Sequence, residues 1–305
     1  MKKYNQTYRK AENYVTYPRT FEGYRWFKPI IELILAGILY VVAVIVIVCA
    51  MYAISPYSGL KFDISSFTGS YDTLDAYSVT GAVVSLGGLA VMIPILWLVL
   101  KITKSRPFSS LSSSRGDGWS GKVFKKCLLV AIIVNAMPNV ISALVDGYRG
   151  DIRFTVAGFI ACAILVPFQC MAEEYFFRGF LMQTFGSWFR IPWLAIILQT
   201  VIFAIAHPYN IYGVIAILID GLGMGLAAYI GKGLEASSAI HIANNFSAFM
   251  LAGFGLNRIT ADVGPSSIIM ALCINVIYVL ALAVLGGLFG WFEPVQTQES
   301  EPENA

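Results

Sequence analysis

Charge is scarce in this sequence. Of its 305 residues only 13% are Asp, Glu, Lys or Arg, whereas 57% are apolar, and the mean hydropathy is +0.70. That balance excludes a water-soluble globular domain, in which about a quarter of the residues are charged. Cysteine is also sparse. Cys49, Cys127, Cys162, Cys170 and Cys273 are scattered through apolar runs with no CxxC spacing. Neither a disulfide framework nor a thiolate metal site follows, and the thiols read as small apolar packing groups. There are two histidines and no His-Glu-x-x-His run, so the usual helix of zinc peptidases is absent. No internal repeat is visible, which removes support for the inverted-repeat architecture of many transporters. A signal peptide is not expected, because about 28 polar residues precede a first apolar run too long for an h-region.

Long apolar runs are what the sequence has in abundance. A helix needs about 20 mainly apolar residues to cross a bilayer. Eight stretches qualify, approximately Pro29 to Ala53, Ser78 to Leu100, Val123 to Val145, Phe154 to Leu181, Ile191 to His207, Tyr212 to Ile230, Ala236 to Phe254 and Ser266 to Trp291. Barrel strands are only about 9 to 11 residues long and alternate in polarity, so the expected fold is an all-α polytopic transmembrane helical bundle of about eight spans. With loops assigned alternately, 17 of the 21 Lys and Arg fall on one side, leaving Lys61, Arg149, Arg153 and Arg258 opposite. The positive-inside rule then puts both termini in the cytoplasm.

The chain divides into a cytoplasmic segment at 1–28, N-terminal spans with a cytoplasmic loop at 29–122, a transmembrane core at 123–292 and an acidic cytoplasmic tail at 293–305. Aromatic and basic residues alternate in the first segment, among them Tyr4, Tyr8, Tyr14, Tyr17, Tyr24 and Trp26, a mixture suited to lipid headgroups rather than to nucleic acid. The stretch Pro107 to Gly121 is rich in Ser and Gly and reads as a flexible loop. The tail, with Glu299, Glu301 and Glu303, reads as disordered.

Ionisable groups inside spans are costly, so each is a functional candidate. Glu32 follows Pro29 closely enough to be solvated at the interface. Asp220 lies beside Gly221, Gly223 and Gly225, whose spacing permits close helix approach; its charge has no evident partner. The concentrated signal is Glu173-Glu174 with Arg178. Glu174 and Arg178 are four apart on one helical face and suit a charge-assisted pair. Glu173 is rotated by about 100° and points elsewhere. His207 follows Phe203 by four residues, and His241 precedes Asn245 by four. Singly, each histidine suits a hydrogen-bonded core position. Three polar clusters on three spans are harder to explain that way.

The pattern Glu-Glu-x-x-x-Arg at 173–178, Phe-x-x-x-His at 203–207 and His-x-x-x-Asn at 241–245 resembles the CPBP family. That family comprises CAAX prenyl proteases of the Rce1 type and bacterial Abi or bacteriocin-processing proteins. The resemblance covers roughly Phe154 to Phe254, and 34 residues separate both Glu173 from His207 and His207 from His241. It implies an intramembrane peptidase core in which Glu173 is the catalytic glutamate, with His207, His241 and Asn245 catalytic and Glu174, Arg178 and Phe203 supporting. It also implies a membrane-associated peptide or protein substrate and a role for the lipid bilayer. The short extensions point to a bacterial-type protein of the plasma membrane.

Such a set can hydrolyse a peptide bond if a glutamate activates water and nearby groups donate to the oxyanion. His207 would orient that water, with His241 and Asn245 as donors. No cofactor is favoured. The alternative is a zinc ion on Glu173, His207 and His241 with one position open for water. A second class of reading is a non-hydrolytic bacteriocin-immunity protein or sensor partner on the same scaffold. A bis-histidine haem protein is a further alternative, to which the paired glutamates are ill suited. One geometric demand stands out. An unbroken fifth helix carries His207 about 25 Å from the cytoplasmic side, while His241 begins its span near Lys232. A shared site therefore requires a tilted or re-entrant helix, or different span ends.

Overall fold

In hydrocarbon a backbone can satisfy its N–H and C=O groups only within helices or closed barrels, and here the apolar runs form helices. The computed structural model describes residues 13–58, 75–116 and 118–294. Tyr4, Tyr8, Lys61 and the acidic stretch Glu299 to Glu303 lie outside the described residues. Helix α1 is Lys28–Ser58; α2, α3 and α4 are Val79–Thr103, Gly121–Val145 and Val156–Phe189. They are followed by α5 Pro192–Ile205, α6 Ile211–Ile230, α7 Glu235–Gly253 and α8 Ser266–Leu288. The protein is an all-α polytopic membrane bundle.

Local chemistry sets the helix ends. Ser78, Ser120, Thr155 and Asn210 each accept a hydrogen bond from a first-turn amide, which satisfies donors that otherwise lack partners. Pro192 opens α5, where a missing N–H costs nothing. Three helices contain a π turn, at Val83–Gly87, Ile132–Ala136 and Tyr175–Leu181.

All eight expected helices are present, but they are not equivalent. Six are long and apolar enough to cross a bilayer. With 14 residues, α5 is about 21 Å long, short of a full crossing. Helix α7 is a core element: every residue from Glu235 to Ala243 is buried, including Ser237, Ser238 and His241. It packs against α3, α4 and α6. The glycines of α6 let its neighbours close in. A Cβ on Gly221 or Gly225 would lie 2.8 Å from Thr200 or Ile196 of α5, and one on Gly223 would strike Asn275 of α8.

Two expectations fail here. The loop from Pro107 to Gly121 is a packed cap, with Ser112 and Arg115 3% and 4% exposed. Its backbone pairs with the α6–α7 turn: Ser114 N donates to Lys232 O at 2.9 Å, and Leu234 N donates to Ser112 O at 2.8 Å. Arg115 donates to Gly231 O at 2.5 Å and forms a buried ion pair with Glu235. From the N-terminal segment, the Tyr14 hydroxyl donates to Leu111 O at 2.5 Å, and burial pushes that phenol well above its ordinary pKa, keeping it a donor. The Ser and Gly content thus serves hydrogen bonds and tight turns, Gly118 adopting φ +74°. The second failure is Glu32, which is buried rather than solvated and accepts from Thr103 Oγ1 at 2.8 Å. The cap also meets the depth demand. Gly231, Gly233, Leu234 and Glu235 are buried beneath it, so α7 begins inside the protein and carries His241 to the level of α4's glutamates.

Candidate active site

Successive residues on α4 face different surroundings, as the helical rotation requires. Glu174 is fully buried and its Oε1 accepts from Arg178 Nη1 at 2.9 Å. The same oxygen accepts from His241 Nδ1 at 2.8 Å. Glu173 turns the other way: Oε1 accepts from Gln169 Nε2 at 2.5 Å, while Oε2 is buried with no hydrogen-bond partner. That free oxygen lies 3.6 Å from His241 Nε2. Asn245 Nδ2 is 3.2 Å from the same ring nitrogen. The π turn beginning at Tyr175 follows the pair directly, in keeping with the frequent placement of such turns at functional positions.

Phe203 joins the clusters. Its ring lies under the Arg178 guanidinium at 4.3 Å and edge-on to Phe177 and His241. Its carbonyl lies 2.7 Å from His207 Nδ1. A carbonyl only accepts, so that nitrogen carries a proton and neutral His207 leaves Nε2 bare. A carboxylate likewise fixes the proton of neutral His241 on Nδ1.

Two cavities meet at His207. One, of about 520 Å³, is almost wholly apolar and is bounded by α1, α2 and α4, with Glu173 and His207 in its wall. The other, of about 120 Å³, is polar and is lined by His207, His241, Asn244, Asn245, Asp220 and Asn275 among others. The structure therefore brings Glu173, Glu174, Arg178, Phe203, His207, His241 and Asn245 into one region.

Residues 154–247 match the family model described as type II CAAX prenyl endopeptidase Rce1-like. This segment of the chain is similar to an Rce1-like domain. All seven sequence-derived site residues lie within it. The chain is also 32% identical over 167 residues to the uncharacterized protein YyaK of Bacillus subtilis strain 168. That alignment covers 50% of this chain and 55% of the relative, so the chain spans about half the length of the curated relative it matches. No solved structure gives a significant match.

Around the Rce1-like domain the structure adds residues that a search for ionisable groups passes over. Gln169 holds Glu173. Asn135, Asn139, Asn244 and Ser247 form a hydrogen-bonded chain beside the polar cavity. Asp220 finds its partner in Asn275 Nδ2 at 2.6 Å. Gln169, Asn135, Asn139, Asn244 and Asn275 were each detectable as a neutral amide within an apolar run. For zinc, Glu173, His207 and His241 offer suitable donor types, and each Nδ1 is held as outer partners hold metal-binding imidazoles. Yet among the described residues no three His, Cys, Asp or Glu side chains converge as a metal-binding group. As placed, these three do not fit a zinc ion.

Proposed function

We propose that this protein is an intramembrane endopeptidase that hydrolyses a peptide bond of a membrane-associated peptide or protein with a glutamate-activated water. The observation that carries the reading is the division of labour between adjacent carboxylates. Glu174 is engaged by Arg178 and His241, whereas Glu173 keeps Oε2 unpartnered, facing His241 Nε2 at 3.6 Å. Glu173 accepts a proton as the water oxygen attacks the carbonyl carbon. The proton passes to His241 Nε2 and from there to the departing amine as the C–N bond breaks. Glu174 keeps His241 in the tautomer that can receive it, and the bare Nε2 of His207 orients water. The apolar cavity suits a lipid-embedded substrate, and the polar cavity suits the water that hydrolysis consumes. The family description makes a prenylated C-terminal peptide the first substrate to try.

The test compares wild type and Glu173→Gln reconstituted in liposomes. Each is given a farnesylated CAAX-type peptide and its unmodified counterpart, and fragments in native membranes are read by mass spectrometry. Fragments made by wild type and absent with Glu173→Gln, at equal thermal midpoint, support the reading. Full biological function with Glu173→Gln would sink it in favour of a non-hydrolytic scaffold. The proposed orientation puts both termini in the cytoplasm, from the excess of basic residues there. Lys125, exposed at the start of α3, is the place to check it: a Lys125→Cys thiol on a cysteine-free background should label only after permeabilisation.

A further inference from the structure

A carboxylate inside a membrane span is costly unless a cation or a polar cavity meets it. Asp220 stands midway along the 20 residues of α6, and among the described residues no Lys or Arg pairs with it. Its hydrogen-bond partner, Asn275, is neutral. We propose that Asp220 forms a subsite for a basic residue of the substrate, the polar cavity receiving a lysine-type side chain that flanks the scissile bond. The inference rests on the peptidase reading and deepens it by naming a class of substrate.

The carboxylate is held in place on one side and free on the other. Asp220 Oδ1 accepts from Asn275 Nδ2 at 2.6 Å, and the same nitrogen donates to Ala271 O at 2.8 Å, which ties the amide to its own helix. Asp220 Oδ2 takes no hydrogen bond among the described residues and is not sealed off from the cavity that the residue lines. That cavity also touches the reacting groups, since His207, His241 and Asn245 line it. A side chain next to the bond being cut therefore has the cavity beside it. The remaining lining suits an aminoalkyl chain. Ile217, Met224, Ile240 and Ile274 offer a wall for methylenes, which long cationic side chains bury while their charged ends find polar partners. Asn244 and Asn245 have amide oxygens that each accept one bond and can accept a second. An ammonium brings three donors and no acceptor, matching a carboxylate oxygen and carbonyls. The volume of about 120 Å³ equals about eight water-sized sites at about 15 Å³ each, more than the heavy atoms of a lysine side chain require. A bare divalent ion fits less well, because it calls for six or more oxygen ligands at about 2.0–2.6 Å and the lining holds a single carboxylate.

The experiment uses the full chain in liposomes and a synthetic peptide spanning a bond that wild type cuts and Glu173→Gln does not. Lysine, norleucine or glutamate is placed in turn at each position flanking that bond. At one position lysine should raise kcat/KM over norleucine by about 10-fold to 100-fold, the range expected for a hydrogen bond to a charged group, and glutamate should be the poorest. In Asp220→Asn the lysine-to-norleucine ratio should collapse toward one, whatever happens to the absolute rates. A second measurement does not depend on how that variant folds: the lysine peptide should bind the inactive Glu173→Gln protein more tightly than the norleucine peptide does. The absence of a lysine preference at every position, or a preference that survives in Asp220→Asn, overturns the inference while the peptidase reading stands. Turnover of the norleucine peptide that requires added sodium or potassium, with no lysine preference, overturns it too and gives the carboxylate to an inorganic cation. If wild type and Glu173→Gln yield identical fragments, the peptidase reading falls, and a substrate subsite at Asp220 falls with it.

Discussion

Helices α1 and α7 meet the same solvent in opposite ways. Along α1, Ile30, Ile31, Ile34, Ile38, Val41, Val42, Ile45 and Val46 are all exposed, and its contacts are with α2. Along α7 the first nine residues are all buried, and they include Glu235, Ser237, Ser238 and His241. In water this arrangement would be inverted. In a bilayer the lipid is as apolar as leucine, so apolar side chains gain nothing by hiding from it. Polar groups, whose exposure to hydrocarbon is costly, are the ones driven inward. Hydropathy therefore marks the outside of this protein and polarity its core. The most apolar helix is the most peripheral, and the helix carrying His241 and Asn245 is not among the six that qualify as spans by length and composition.

The contrast makes graded predictions. The largest effect belongs to the buried ion pairs. Arg178→Ala strands Glu174 between His241 and an empty face, and Glu235→Ala strands Arg115 beneath the cap. Removal of one partner from such a pair typically costs about 3–5 kcal/mol. Both variants should show a lowered thermal midpoint and yield in detergent; a normal midpoint for either would mean that the polar interior is not what holds the bundle together. Glu173→Gln should leave the midpoint near wild type while abolishing turnover, because Oε2 has no protein partner to lose. The smallest effect belongs to the lipid face: Ile38→Ala, at a 58% exposed position, should shift stability by no more than about 0.5 kcal/mol. A loss comparable with that of Arg178→Ala would show that α1 is covered in the membrane by something other than lipid.

Much of the site was legible in the sequence because helical geometry is local. The four-residue spacings that predicted shared faces are realised as contacts: Glu174 with Arg178 at 2.9 Å, Phe203 with His207 at 2.7 Å, His241 with Asn245 at 3.2 Å. The 100° turn between Glu173 and Glu174 separated their environments as expected. Less legible was Glu174, which reads from spacing as a partner of Arg178 and is equally the group that orients His241.

The sequence by itself determined that the chain lives in a bilayer, that it is helical throughout its apolar runs, and which polar residues share a helical face. All three follow from composition and from a repeat of 3.6 residues per turn. Tertiary structure decided the rest. Whether His207 and His241 reach one site depended on the depth at which α7 begins, which is set by the cap folding over the Gly231–Leu234 turn and by the ion pair of Arg115 with Glu235, 120 residues apart. Whether a serine-rich loop is loose or packed depended on what lies beneath it. Contacts between distant segments arise from the packing of whole faces, and no spacing within a single helix encodes them.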